Sequence, residues 1–69
     1  MRYGELVRKL RRLGFRLYGQ AKGSHEVWWL PRTERRTVIT RHATREIPPG
    51  TLRAMLKDLG LTEEDLRNA

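Results

Sequence analysis

Residues 15–40 read FRLYGQAKGSHEVWWLPRTERRTVIT, and the fold turns on how that stretch is parsed. Phe15 and Leu17 alternate with Arg16 and Tyr18, which is the period of a strand. Ala21-Lys22-Gly23-Ser24 is a turn. Residues 25–30 follow, rich in strand formers (Val27, Trp28, Trp29), and Pro31 stops them because proline cannot donate to a sheet ladder. Residues 32–35 form a charged loop, and Arg36-Thr37-Val38-Ile39-Thr40 is a third strand, rich in β-branched residues. Connections this short join antiparallel neighbours, so the stretch predicts a three-stranded meander.

A helix is predicted on each side. Tyr3, Leu6, Val7, Leu10 and Leu13 recur at helical spacing, with Arg8, Arg11, Arg12, Glu5 and Lys9 on the outer face. Gly14 stands where a glycine ends a helix. Ile47-Pro48-Pro49-Gly50-Thr51 opens the second helix, with Pro49 at the first helical position, where its missing N–H costs nothing. Leu52, Met55, Leu56 and Leu59 make its apolar stripe, and Gly60 ends it. Thr62-Glu63-Glu64-Asp65 resembles a capping box for a short last helix, which Leu61 and Leu66 tuck onto the body. Two amphipathic helices need an apolar surface to cover, and one sheet face supplies it. The predicted class is α+β, in the order α-β-β-β-α. A three-stranded antiparallel sheet carries the helices on one face and is followed by a short C-terminal helix. The other sheet face, the turns and the helix edges are left for function.

At 69 residues the chain is read as a single domain, 1–69, with no internal repeat. Its 38% hydrophobic content builds one core but no deep enclosed cavity, which argues against an enzyme that swallows its substrate. Cysteine is absent, which excludes disulfides, thiolate catalysis and cysteine-bound metal. No apolar run approaches a membrane span, so the expectation is a cytoplasmic protein with no membrane contact. The net charge is +7, and it is uneven. Residues 1–45 hold 12 basic and 3 acidic residues, whereas residues 46–69 hold 3 and 5. Twelve of the 15 basic residues are arginine, whose planar fork suits phosphate. High arginine also accompanies hot habitats. A basic body of this kind nevertheless favours a polyanion as partner.

Two histidines offer chemistry. His25 follows Gly23-Ser24, at a strand start beside a tight turn, where a side chain can be ordered yet exposed. Imidazole, with an ordinary pKa of about 6.5, suits proton transfer at neutral pH. RNA carries its own nucleophile, the 2′-OH, so a base, an acid and a few cations can cleave it without metal or cofactor. A plain surface histidine in a hairpin is the competing reading. His42, just past the third strand, either divides the acid and base roles with His25 or only contacts RNA. Two histidines without cysteine or a spaced carboxylate make a zinc site incomplete. Trp28 and Trp29 are consecutive and point to opposite sheet faces. One belongs to the core. The other either stacks on a base or a partner or is packed under the helices and tail as well, and the alternation does not decide which tryptophan is core. Arg16, Lys22, Arg41 and Arg45 flank the histidines in sequence and are the candidate phosphate contacts, with Gly23 and Ser24 of the turn.

The chain resembles the HicA family of toxin–antitoxin ribonucleases. The resemblance rests on Leu13-Gly14-Phe15, Lys22-Gly23-Ser24-His25, residues 38–42, Glu46-Ile47-Pro48-Pro49-Gly50-Thr51-Leu52 and Asp58-Leu59-Gly60-Leu61-Thr62. It implies a fold like that of double-stranded-RNA-binding domains. It also implies a stress-response toxin that cleaves messenger RNA, inhibited by a HicB-type antitoxin protein, with the catalytic histidine falling on His25. The chain departs from the family at Thr40, where proline is frequent, and at Glu26, where a second histidine is frequent. A carboxylate beside His25 is expected to raise its pKa or to repel RNA. The main expectation is a metal-independent endoribonuclease. The alternatives are a non-catalytic RNA-binding module of the same fold and a protein-interaction domain with an acidic partner.

Overall fold

The computed structural model describes residues 1–41 and 45–69. Its elements are α1 (Tyr3–Arg12), β1 (Arg16–Gln20), β2 (His25–Leu30), β3 (Arg35–Thr40), α2 (Pro49–Leu59) and α3 (Glu63–Arg67). The strands form one antiparallel sheet in the order β1-β2-β3, the meander predicted from the short connections. Pro49 is the first residue of α2, Gly60 caps its end at φ 73°, and the Thr62–Asp65 capping box is formed on α3.

The core lies between the helices and one face of the sheet. Leu6 and Leu10 of α1, Phe15, Trp28 of β2, Ile39 of β3, Met55, Leu56 and Leu59 of α2 and Leu66 of α3 are all buried. Trp28 is therefore the core tryptophan. Its ring is closed on the outside by the Arg11 guanidinium, 5.2 Å from the ring centroid, so this arginine is not simply a solvated helix charge. The helix-facing set on β2 is Glu26, Trp28 and Leu30, opposite Ile39, Thr37 and Arg35 of β3. Thr37 is buried and donates its hydroxyl to Asp58 of α2 at 3.1 Å.

The alternation expected for β1 is interrupted. Register shifts between Leu17 and Gly19, so Tyr18 is the extra residue of a bulge. Leu17, on an edge strand, stays half exposed instead of joining Phe15 in the core. The segment before α2 is tied back to the N-terminus. Ile47 N–H donates to the Met1 carbonyl at 2.9 Å, and Arg2 and Glu46 form an isolated bridge.

Candidate functional site

The turn at residues 21–24 and the first residue of β2 build the candidate centre. Gly23 has φ 67°, and a Cβ there would meet nothing within 4 Å. The turn thus requires glycine for its left-handed backbone and not for space. Ala21 N–H donates to the His25 carbonyl at 2.9 Å, and His25 N–H to the Lys22 carbonyl at 3.3 Å. His25 is held by its backbone while its ring is exposed. The residue pairs with Thr40 across the sheet, and Thr40 Oγ1 lies 3.1 Å from His25 Nδ1. Nε2 has no partner among the described residues. A ring oriented through Nδ1 with Nε2 open can exchange a proton with a bound group.

Ser24, His25, Thr40 and Arg45 line an open cleft of about 590 Å³. Residues 46–48 with Thr51 and Met55 complete its lining. Glu46 at this rim accepts from the Met1 amine and lies 3.9 Å from Arg2 Nε. The hydrogen bond from the amine holds its carboxyl below the usual carboxylate range, with the charges of the amine and Arg2 adding to the effect.

The expectation that Glu26 acts on His25 or on RNA is corrected by the phase of β2. Glu26 is 5% exposed and faces the helices, on the side of the strand opposite His25. Its Oε1 accepts from Tyr3 Oη at 2.5 Å and from Trp28 Nε1 at 3.1 Å. Arg41 Nη1 stands 3.9 Å from Oε2. The Tyr3 phenol is pushed up to about 12 by burial first, then by the hydrogen bond to Glu26 and the carboxylate's charge.

The basic residues that flank the histidines in sequence separate in space. Lys22, Gly23 and Ser24 adjoin His25 in the turn, and Arg45 shares the cleft. Arg41 N–H donates to the Ser24 carbonyl at 2.9 Å, but its exposed guanidinium leans toward Glu26. Arg16 pairs with Trp29, four residues along β2 from His25 and so about 13 Å away at the strand rise. It donates to the Phe15 carbonyl at 2.9 Å. His42 lies outside the described residues. Two features were missed in the sequence: Thr40 as the partner of the His25 ring, and the cleft wall at residues 46–48. Strand register was the available signal for Thr40. Nothing in the sequence signalled the wall.

A family model described as the HicA toxin of bacterial toxin–antitoxin matches residues 3–61. The chain belongs to the HicA toxin family. The match begins at α1 and runs just past α2, so it contains the whole sheet and every residue that lines the cleft. Comparisons with curated proteins and with solved structures gave no match. Membership places this HicA chain in toxin–antitoxin systems, which implies an antitoxin partner. No helix among the described residues is long and apolar enough to cross a membrane.

Proposed function

We propose that this HicA-family protein is a metal-independent endoribonuclease toxin that cleaves messenger RNA through His25 and is inhibited by a HicB-type antitoxin. The observation that carries the reading is His25 itself: exposed, set on a glycine turn in the lining of the cleft, with Nδ1 against Thr40 Oγ1 and Nε2 without a partner among the described residues. For base catalysis Nδ1 keeps its proton and donates to Thr40 Oγ1, and Nε2 takes the proton of the RNA 2′-OH. O2′ then bonds to the adjacent phosphorus, the P–O5′ bond breaks, and the leaving oxygen takes a proton from solvent. The products are a 2′,3′-cyclic phosphate and a 5′-hydroxyl. Lys22 and Arg45 oppose the charge that grows on the phosphoryl oxygens, with backbone N–H groups of Gly23 and Ser24 as further donors. Arg41 and Arg16, the latter at the far end of β2, are further proposed RNA contacts, and His42 is proposed as one from the sequence.

The test is a long single-stranded RNA incubated with wild type and His25→Ala in EDTA at neutral pH. Cleavage by wild type, slowed at least about 100-fold in the variant, is the expected result. Equal cleavage by both refutes the role of His25. Salt-sensitive binding by both with no cleavage by either replaces the enzyme with a non-catalytic RNA-binding module.

A further inference from the structure

The sheet face turned away from the helices meets the candidate centre at His25 and its cross-strand partner Thr40, yet it is not a bland surface. Tyr18 and Trp29 meet edge to face with ring centroids 4.9 Å apart. The Arg36 guanidinium lies 5.3 Å from the Tyr18 ring centroid. Arg16 pairs with Trp29 on one side and Arg36 on the other. Tyr18 is 55% exposed although it is a large aromatic residue. Among the described strand residues no carboxylate lies on this face, because Glu26, the one acidic residue in the strands, points to the helices.

We propose that this open face is a stacking platform for single-stranded RNA. Bases lie on Trp29 and Tyr18, and Arg16 and Arg36 meet the backbone phosphates. The proposal rests on the ribonuclease reading and adds to it the strandedness of the substrate and the path it takes. Charge selects the occupant. Two arginines with no carboxylate attract a polyanion, and a second copy of this chain, itself at +7, is repelled. An exposed tyrosine against a partly buried tryptophan, interleaved with guanidinium groups, is a combination that can hold single strands, since every base has a π-face to offer. A duplex keeps its base faces stacked inside and cannot use them. The path is continuous as well. His25 and Trp29 share a face of β2 about 13 Å apart, so a strand stacked on Trp29 reaches His25 without crossing an edge.

The experiment measures binding of a 2′-O-methyl RNA of about 12 nucleotides, which lacks the attacking hydroxyl, and of its duplex. Wild type, Trp29→Ala and Trp29→Phe are compared, with urea unfolding of each to establish that it is folded. Trp29→Ala is expected to bind the single strand about 5- to 150-fold more weakly, with Trp29→Phe recovering most of the loss and the duplex little affected. In cleavage of unmodified RNA the loss falls mainly in KM. Unchanged single-strand affinity in a folded Trp29→Ala overturns the platform even where wild type cleaves RNA through His25. Intact RNA binding with loss of antitoxin binding overturns it in favour of a protein contact. A wild type that binds no RNA overturns both the platform and the ribonuclease reading.

Discussion

Replacing Tyr3 by phenylalanine removes one oxygen from the helix-facing side of β2 and tests what Glu26 does there. The Glu26 carboxylate is 5% exposed and has three partners: Tyr3 Oη at 2.5 Å, Trp28 Nε1 at 3.1 Å and the Arg41 guanidinium at 3.9 Å. A hydrogen bond to a charged group contributes about 1.5–3 kcal/mol. Tyr3 supplies the shortest of the contacts, so Tyr3→Phe is expected to cost about 2 kcal/mol. In a domain of this size that lowers Tm by about 8–16 °C. Urea unfolding followed by tryptophan emission at neutral pH measures the loss, because Trp28 sits beside the deleted group. A double-mutant cycle with Glu26→Gln isolates the pair, and a coupling of about 1 kcal/mol or more is expected.

The same contact has a pH signature. The phenol is raised from 10.0 to about 12 by burial and by Glu26, so the folded state holds its proton more tightly than the unfolded chain does. The contribution to stability is complete below pH 10 and is lost as pH climbs toward 12. A two-unit shift corresponds to about 2.7 kcal/mol, which solvent screening at this half-buried site reduces to about 1 kcal/mol. The stability gap between wild type and Tyr3→Phe must therefore narrow over that interval. A gap below about 0.3 kcal/mol at pH 7, or one that does not narrow, refutes the reasoning.

Three further outcomes follow from the site. Gly23→Ala places a β-carbon at φ 67° with open space around it, so it costs about 1–2 kcal/mol of backbone strain, and relaxation of that strain displaces His25. Cleavage is expected to fall further than stability, and unchanged cleavage in the folded variant contradicts the turn's role. Lys22→Ala and Arg45→Ala are each expected to flatten the log–log salt dependence of single-strand binding by about 0.7, while Arg67→Ala on α3 leaves it as it was; slopes equal to wild type remove these residues from the phosphate contact. Glu46 titrates below its ordinary 4.5 because the Met1 amine donates to it, so it stabilises the fold above that pH and the contribution fades in acid. Glu46→Gln lacks that dependence, and acid titrations of the two proteins must converge as pH falls.

The order of the elements was legible because each carries its own local signal. Proline at the start of α2, glycine after α1 and α2, and β-branched residues in β3 each constrain one place in the chain. The orientation of β2 was not legible, for a physical reason. Alternation puts Val27 with Trp29 and Glu26 with Trp28, and hydropathy alone favours burying the set without the acid. The structure buries the other set, because Tyr3, Trp28 and Arg41 give the carboxylate the partners it needs, and two of them, Tyr3 and Arg41, come from outside β2. Thr40 was within reach, since a ladder that pairs Leu30 with Arg35 also pairs His25 with Thr40. The wall at Glu46 was not, because the contact that fixes it joins residues 45 apart. Arg16 shows the opposite error. It lies close to His25 in the chain and yet sits at the far end of β2.

Strand phase also explains how an acidic residue can follow His25 in a chain of net charge +7. Consecutive strand residues address different faces. At position 25 the ring is exposed, and Thr40 of the neighbouring strand contacts its Nδ1. At position 26 the requirement is an inward group that accepts from the Tyr3 hydroxyl and the Trp28 N–H, and a carboxylate meets it from inside the core. The charge of Glu26 is answered by Arg41 on its own side of the sheet, so the open face keeps Arg16 and Arg36 without a carboxylate between them. Where this chain departs from the family's frequent second histidine, the change therefore falls on the anchoring of β2, and the open sheet face remains cationic and aromatic.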